Sequence, residues 1–475
     1  MWDPARLFAI DLRTLGLFPI YLGLLLIGQW VTLWIGAEEF LSDLGVLPSH
    51  YVLFNPIARG VSLLAPFSTL AEVRGALIGI LGLYVAFLLG LGGLMVRVLT
   101  LAAAVSLLLR NLWVENGGHV IINLLLVWSL LLPLSDRFSW RRRGALAADL
   151  ATPGAVRGLA PLGVRVSIAL IYFFNFLTKT GETWQSGTAV HYTLWMAERV
   201  WPWAVAVREA LPAPLLQVAS HATLAIEGML PFLVLSPLFP IACQRAAVVL
   251  IFLLHASIAL MINLGPFSFA MFGCAVLLLQ SEDWEWLRRR RGAAAREEAI
   301  AAPLRIGWGM RQALAGLLTY TCIVQSIQTY RMWMGTTTGW RPPAWTQLVV
   351  DYLRVPQNWR MFAADAPVEA RLVRYIGVRG NGLTDLATGK HFPLDDPGAL
   401  AAYFERAQGQ SILRIEWDTR LKVMPADHHL FLQARLRLRH PEYEGYRVYL
   451  LTRPSPTPGT LLRSPVSAEL VADLP

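Results

Sequence analysis

The stretch GVRVSIALIYFFNFLTKT, residues 163–180, sets the class of fold to which this chain belongs. Its residues are mostly apolar, and a helix of about 20 such residues crosses the roughly 30 Å hydrocarbon layer of a bilayer. The stretch also carries one lysine, Lys179, near its end. We therefore expect a membrane-spanning helix with a single cationic side chain close to the membrane surface.

Comparable apolar runs recur along the first 335 residues of the chain. They lie near residues 14–37, 75–95, 98–114, 119–134, 163–180, 214–236, 245–263, 266–280 and 309–332. The first run starts too late and extends too far to be a cleaved signal peptide. The predicted fold class is an all-α polytopic membrane bundle of about nine transmembrane helices. This bundle occupies residues 1–335 and precedes a smaller C-terminal domain.

The composition agrees with this class. Hydrophobic residues make up 55% of the 475 residues and charged residues only 15%, whereas soluble proteins carry about a quarter charged residues. This balance excludes an intrinsically disordered chain and an ordinary soluble enzyme. Cys243, Cys274 and Cys322 lie in apolar runs without a CxxC pair. We interpret them as core residues rather than as zinc ligands or disulfide partners.

Arginine carries most of the positive charge and predicts the orientation. Only three of 41 basic residues are lysine, and the formal net charge is +9. Arginines cluster before the first span and after every second span, namely at residues 6, 13, 97, 137, 141–143, 157, 245, 288–291, 296 and 305. The positive-inside rule makes their shared side cytoplasmic. The N-terminus is therefore expected inside, and we interpret the arginine runs as contacts to anionic headgroups rather than to nucleic acid.

The tail, residues 340–475, differs from the bundle in composition. Charged residues are dense there, Pro342 and Pro343 mark a linker, and no run is long enough to span a membrane. Residues 369–380 alternate as a half-buried strand does, residues 429–440 fit either a strand or a helix with an arginine face, and residues 397–407 fit a helix. We predict a small extracytoplasmic α+β domain.

Ionisable side chains inside apolar runs are costly, so each marks a candidate functional position. Lys179 and His119 fall at the predicted outer ends of their spans, while Glu227 and His255 fall near the middles of spans six and seven. Glu227 and His255 either form a structural interhelical pair or handle protons. His119 either caps its helix or belongs to a site. Asn263 adds a polar group on the outer side that could support proton handling with Glu227.

Lys179 is the sharpest of these features because the bundle contains no other lysine. A desolvated lysine can lose its proton and act as a base, whereas arginine keeps its proton. Aromatic residues such as Phe174 and Trp184 flank it and could hold a flat apolar ligand. The alternative is a lysine that extends from a helix end to the headgroup region.

Several blocks resemble the horizontally transferred transmembrane domain family, the bacterial relatives of vitamin K-dependent gamma-carboxylase. The likeness covers about residues 5–365, and a lysine five residues before a tryptophan, then a glycine and a tyrosine, is its most specific part. The blocks are DLRTLGLFPIYLGLLLIGQ (11–29), LSDLGVLPS (41–49), NGGHVIINLLLVWSLLLPLSDRFSW (116–140), IYFFNFLTKTGETWQSGTAVHYTL (171–194), FLLHASIALMINLGPFSFAMF (252–272) and QNWRMFAADAP (357–367).

The resemblance implies roles for single residues. Lys179 would be the base that deprotonates vitamin K hydroquinone, and His119 matches a histidine linked to CO2 addition. His255, Asn263 and Phe267 match the family's block of His, Gly and Phe. The implied cofactor is reduced vitamin K or menaquinone, used with O2 and CO2 and without a metal. The implied partner is a Glu-containing peptide or protein on the outer face of a bacterial inner membrane.

The chain also departs from the carboxylase pattern. Thr178-Lys179 stands where the carboxylase has two adjacent lysines, its long lumenal region is absent, and no cysteine pair can form its disulfide. Three functions therefore stay open. The chain is a quinol-dependent carboxylase-like enzyme, or a non-enzymatic membrane protein that binds a quinone or lipid and presents the outer domain to a partner. The third is a proton-coupled transporter, against which the lack of an inverted repeat argues.

Overall fold

The structure is a computed structural model that describes residues 2–54, 60–134, 137–151, 153–291, 308–336, 339–406, 411–420 and 426–474. Most of these residues are helical. The helices are α1 (Leu12–Ile35), α2 (Ala37–Phe40), α3 (Ser49–Phe54), α4 (Leu70–Leu88), α5 (Gly93–Arg110), α6 (Gly117–Leu131), α7 (Leu146–Ala151), α8 (Leu159–Thr178), α9 (Glu182–Gln185), α10 (Ala189–Leu194), α11 (Ala204–Ala210), α12 (Ala213–Leu235), α13 (Pro240–Met261), α14 (Phe267–Val276), α15 (Ser281–Arg290), α16 (Trp308–Trp333), α17 (Ala344–Leu353), α18 (Pro397–Arg406), α19 (Ile412–Arg420) and α20 (Ala426–Arg439). The strands are β1 (Ala9–Asp11), β2 (Ala155–Arg157), β3 (Glu369–Arg379), β4 (Gly382–Asp385), β5 (Gly445–Pro454) and β6 (Ser467–Leu474).

Six of the described helices are long and apolar enough to cross a membrane, namely α1, α4, α5, α8, α12 and α13. This is the architecture of a multi-pass membrane protein, but the expected count of about nine spans is not confirmed. Two of the other runs form shorter apolar helices, α6 and α14. The ninth run forms α16, which has 26 residues and carries several glutamines and two arginines.

The two ends of the bundle differ in chemistry. Helix α1 has 24 residues and is about 36 Å long at 1.5 Å per residue, so its ends mark the two sides. Where α1 begins, Arg6 and Arg13 pair with Glu282 and Glu285 at 2.7 and 2.8 Å, and Arg245 pairs with Asp283 at 2.6 Å. We call this the arginine end. Arg6, Arg13 and Arg245, which the alternation of spans predicts on one side, lie together at this end. Arg296 and Arg305 lie outside the described residues.

The opposite side, which we call the lysine end, contains Lys179, the start of α6 and the C-terminal domain. Helix α19 joins that domain to the bundle: Arg414 pairs with Glu39 at 2.6 Å, and Arg420 donates hydrogen bonds to the carbonyls of Leu112 and Glu115 at 2.6 and 2.7 Å. The domain therefore packs directly on the helix ends.

The C-terminal domain is α+β, as expected. Its antiparallel sheet has the strand order β4-β3-β5-β6. The strand predicted over residues 369–380 is confirmed as β3 and the helix over 397–407 as α18. Of the two interpretations of residues 429–440, the strand is wrong and the helix, α20, is confirmed. Alternation failed there because tertiary packing, not the local pattern, selects the conformation of such a short mixed segment.

Helix α17 lies between the bundle and this domain. Gln325 of α16 donates a hydrogen bond to Thr346 at 2.8 Å, and Tyr320 stacks on Trp345 with ring centroids 6.0 Å apart. The amide of Asn123 in α6 reaches the carbonyl of Arg354 at 3.3 Å. The chain after the Pro342-Pro343 linker thus packs along the bundle before the sheet begins at Glu369.

Candidate functional site

The centre of the candidate site is a buried ion pair between α8 and α12. The ammonium of Lys179 donates to Oε2 of Glu227 at 2.5 Å. Their side chains are 2% and 11% exposed, so Lys179 turns into the protein and does not extend to the headgroups. The ring of Trp184 lies over the ammonium with its centroid 5.0 Å from Nζ, an arrangement that favours a cation. Lys179, Glu227 and Trp184 of the predicted site are therefore in contact.

The end of α8 explains how Lys179 is held. Lys179 is the C-cap residue, and its backbone N–H donates to the carbonyl of Phe176 at 3.2 Å. The chain then turns at Gly181 into α9, which carries Trp184. A Cβ atom on Gly181 would lie 2.0 Å from the carboxylate of Asp365, so only glycine allows this close approach.

A cover segment, residues 357–367, closes this end of the bundle. The Met361 N–H donates to Asn175 Oδ1 at 2.9 Å, and the indole N–H of Trp184 donates to the carbonyl of Phe362 at 2.9 Å. Asp365 accepts bonds from the backbone N–H and the hydroxyl of Thr183 at 2.7 and 2.8 Å. The cover segment thus binds the helix end that presents Lys179.

A second buried pair lies beside the first. The hydroxyl of Tyr172 and Nε2 of His255 are 2.9 Å apart, and both residues are 2% exposed. The ring of Phe267 is 5.4 Å from that of His255. The expected Glu227–His255 pair does not form: Glu227 binds Lys179, and His255 binds Tyr172. Electrostatic interactions still connect Lys179 with His255 and Glu227 with Tyr172, so the four residues form one cluster.

Three other predicted residues lie outside this cluster. His119 acts as a helix cap, because its Nδ1 accepts a hydrogen bond from the N–H of Asn116 at 3.1 Å. Asn263 shapes the turn between α13 and α14, where its Oδ1 accepts from the N–H of Gly265 at 3.1 Å. Phe174 faces α16, and its ring lies 5.7 Å from that of Tyr330. Nothing in these contacts tests the roles that the resemblance implies.

A cavity of about 610 Å³ separates the bundle from the C-terminal domain. Asn116, Gly117 and Phe267 line it on the bundle side, Met361 and Phe362 of the cover segment on one wall, and β3, β5, β6 and α19 on the other. Phe267 also lies 5.4 Å from the ring of His255, between ring centroids. The cavity and the Lys179 cluster therefore have Phe267 as a common neighbour.

The cavity contains both acidic and basic groups. Glu198, Asp365 and Asp418 face it together with Arg199 and Arg420. Burial raises the pKa of Glu198, and Arg199 and a backbone N–H oppose that rise. Burial also raises the pKa of Asp418 to about 6, against the opposing charge of Arg414. The charges of Glu198 and Asp418 are thus only partly compensated by their neighbours.

A separate apolar groove of about 480 Å³ lies between α8 and α12. Four residues of α8 line it, Val166, Ala169, Leu170 and Phe173. The lining from α12 and the turn that follows consists of Pro231, Phe232, Leu235, Ser236 and Pro237. Phe173 is six residues before Lys179, and Pro231 is one turn after Glu227. The groove therefore runs along the two helices that carry the ion pair.

Sequence reasoning missed three residues of this site. They are Tyr172, one of several aromatic residues in its helix, Asn175 of the same apolar run, and Asp365 of the cover segment. An asparagine three residues before the end of a spanning helix itself indicates a polar contact, since amide side chains in a membrane form hydrogen bonds with neighbouring segments. The partner of Asn175 is the cover segment.

No family model, no curated protein and no solved structure matches this chain. Among the described residues, no group of three or more His, Cys, Asp or Glu side chains is placed to hold a metal ion. The resemblance to the gamma-carboxylase relatives therefore stays a hypothesis.

Proposed function

We propose that this protein is a membrane enzyme that binds a quinol in the bundle and removes a proton from its hydroxyl group, with Lys179 as the base. The observation that carries the proposal is the buried Lys179–Glu227 pair, 2.5 Å from nitrogen to oxygen. The pair lies between α8, which is rich in aromatic residues, and α12, and the apolar groove runs along the same two helices. Ionisable pairs buried in a membrane are expensive, and each is a candidate functional site.

The pair can supply a free amine. Moving the proton from Lys179 to Glu227 converts an ammonium and a carboxylate into a neutral amine and a neutral acid. A site of low polarity disfavours separated charge, so this transfer becomes accessible there. The neutral amine can take the proton of a substrate hydroxyl, and the ammonium that forms lies beside the resulting oxyanion. An arginine could not do this because it keeps its proton.

The residues present fit a quinol. The groove between α8 and α12 is lined almost wholly by apolar side chains and suits an isoprenoid chain. Trp184 provides a flat surface over the ammonium of Lys179, and Phe267 provides one against His255. A quinol that is oxidised by O2 would supply a base strong enough to remove a carbon-bound proton. Lys179 and Glu227 would start that chemistry, and Trp184 would hold the ring and exclude water.

The proposed reaction class follows the resemblance. Quinol, O2, CO2 and a glutamyl side chain are consumed, and a quinone epoxide, water, a proton and a dicarboxylate side chain are formed. A Glu-containing peptide would enter from the cavity at the lysine end, whose lining includes three arginines and five carboxylates, and His119 would assist CO2 addition. The arginine end would face the cytoplasm of a bacterial inner membrane, which makes the C-terminal domain extracytoplasmic.

The test is direct. The purified protein in detergent is given reduced menaquinone or vitamin K, O2, labelled bicarbonate and Glu-containing peptides, and both epoxide and fixed label are measured. We expect both products. Epoxide without fixed label would replace carboxylation by quinol oxygenation. Neither product from a folded sample would overturn the enzymatic proposal in favour of quinone or lipid binding.

Variants of the lysine isolate the base. Lys179→Arg keeps the positive charge and the length of the side chain but cannot give up its proton, so we expect loss of epoxide formation by at least about a hundredfold. Arg6→Ala at the arginine end is the matched control, since Arg6 is distant from the site. Full activity in Lys179→Arg would contradict base catalysis by this residue.

A further inference from the structure

The Tyr172–His255 pair has one polar atom without a partner. The hydroxyl of Tyr172 lies 2.9 Å from Nε2 of His255. Among the described residues this is the hydroxyl's only recorded hydrogen bond. Nδ1 of His255 is fully buried, and no described group forms a hydrogen bond with it. Buried polar atoms are nearly always bonded in native proteins, so an orphan needs an explanation.

The tautomer follows from counting donors. A tyrosine hydroxyl has one proton, and in a buried site that proton must go to an acceptor. His255 Nε2 is the acceptor in reach, so Nε2 carries no proton. In a neutral imidazole the proton then resides on Nδ1. The unpaired atom is therefore a donor, and its missing partner is an acceptor such as a carbonyl or phenolate oxygen.

We infer that Nδ1 of His255 donates a hydrogen bond to an oxygen of the bound quinone or quinol, and that Tyr172 is the positioning residue that fixes the required tautomer. This inference rests on the proposed function. A para-quinol has oxygens on opposite edges of its ring. One can face the Lys179–Glu227 pair while the other meets His255, with Phe267 against the imidazole at 5.4 Å.

The arrangement divides the work between two pairs. Lys179 and Glu227 exchange a proton with the near oxygen, and the hydrogen bond from His255 to the far oxygen holds the ring with its near hydroxyl against the ion pair. Holding a reacting group in the productive orientation lowers the entropic part of the barrier. Tyr172 contributes by preventing the imidazole from presenting an acceptor instead.

Two substitutions separate the two nitrogens of His255. In His255→Asn the side-chain amide reaches the position of Nδ1 and keeps a donor there. In His255→Gln it reaches the position of Nε2, keeps a partner for Tyr172 and offers nothing at Nδ1. Tyr172→Phe removes the hydroxyl that fixes the tautomer, so either ring nitrogen of His255 can carry the proton. Thermal unfolding of each variant in detergent checks that it is folded.

The probe is a short-chain naphthoquinone labelled with 13C at one carbonyl. Its affinity is measured by titration and its carbonyl stretch by infrared difference spectroscopy. For the wild type and His255→Asn we expect one carbonyl band shifted to lower frequency. For His255→Gln we expect loss of that shift and about tenfold weaker binding, the usual size of one lost buried hydrogen bond. For Tyr172→Phe we expect a band that is split between the two positions.

The outcomes distinguish the inference from the proposal on which it rests. A wild type that binds no quinone overturns the proposed function and the inference together. Normal binding with an unchanged band in His255→Gln overturns the inference alone. Equal loss in His255→Asn and His255→Gln would show that the imidazole only fills space, which also overturns it. Selective 15N labelling of histidine in the free protein gives a further check, because a proton on Nε2 of His255 contradicts the assigned tautomer.

Discussion

The two ends of the bundle treat buried charge in opposite ways. At the arginine end, Arg13 is fully buried and bonds Asp11 and Glu285 at 2.8 Å each, together with the carbonyl of Leu150 at 3.1 Å. At the lysine end, Lys179 is almost as buried but has a single carboxylate partner, Glu227. His255 next to it lacks a partner for one nitrogen. The guanidinium nitrogens of Arg13 are all hydrogen-bonded, whereas the cluster around Lys179 has one buried nitrogen without a partner.

On the proposed function, this difference separates a structural charge, Arg13, from a functional one, Lys179. A buried charge whose donors are all bonded holds elements together and has nothing left to offer a ligand. A buried charge with one exchangeable partner can release or accept a proton, and perturbed groups of this kind concentrate at functional sites. The following experiments would break or sharpen the comparison.

The largest effect is expected at Arg13. Arg13→Ala leaves the buried carboxylate of Asp11, which also caps α1, without its main partner. We expect a loss of about 3–5 kcal/mol in the free energy of unfolding, measured by denaturation in mild detergent. Arg6→Ala is the control, because Arg6 and its partners Asp3 and Glu282 are about a third exposed and such pairs contribute about 0–1 kcal/mol. Equal small losses of unfolding free energy in Arg13→Ala and Arg6→Ala would show that the buried ion pair of Arg13 contributes no more than an exposed one.

The next effect concerns the Lys179–Glu227 pair. Lys179→Met and Glu227→Met each leave one buried charge alone and should cost about 2–4 kcal/mol of stability. The double variant should recover most of that loss, with a coupling of at least about 2 kcal/mol in a double-mutant cycle. Quinol turnover should be absent from all three proteins. Turnover in the stable double variant would show that the pair serves folding only.

A smaller effect is expected where α6 meets α14. A Cβ atom on Gly118 would lie 2.5 Å from the backbone nitrogen of Phe267, so Gly118→Ala must push the two helices apart. We expect a loss of about 1–3 kcal/mol in unfolding free energy and weaker binding of the quinone probe, because Phe267 packs on His255. Gly117→Ala is the control, since its Cβ would be in ordinary contact with Phe267 at 3.5 Å. Similar behaviour of both variants would contradict the close packing.

The smallest effect is a pH dependence at the lysine end. Burial raises the pKa of Asp418 from its usual 3.8 to about 6. A carboxyl group whose pKa is raised by folding contributes stability that is present below about pH 4 and is lost as the pH rises through about 6. Asp418→Asn should therefore flatten the pH dependence of the melting temperature between pH 4 and 7. In this variant Arg414 retains its ion pair with Glu39.

The control for this profile is Asp473→Asn, which removes a carboxylate that is 55% exposed on β6. It changes the net charge by the same amount as Asp418→Asn. A profile that changes equally in both variants would assign the pH dependence to net charge rather than to the buried group.

Sequence reasoning succeeded where a property depends on position along one helix. The apolar runs located six spans, and the depths of Lys179 and His255 follow from their distance to helix ends. It failed where a property depends on rotation about the helix axis. Glu227 and His255 have similar depths, yet packing turns Glu227 toward Lys179, 48 residues away, and His255 toward Tyr172, 83 residues away.

The same limit applies to the short helices. The run at 266–280 has the composition of a span, but the helix it forms, α14, covers only Phe267–Val276. Such a short helix is compatible with a membrane only because α6, α13 and α1 surround it. Its neighbours, not its own residues, make it possible.

The sequence by itself determined that this is a membrane bundle with a charged α+β tail, because hydrophobic transfer and strand or helix propensity act locally along the chain. It also singled out Lys179 by the scarcity of lysine. Only the tertiary structure decided that Lys179 pairs with Glu227, that residues 357–367 cover that pair, and that His255 has a free nitrogen. These are contacts between segments far apart in the chain, and they are fixed by packing rather than by composition.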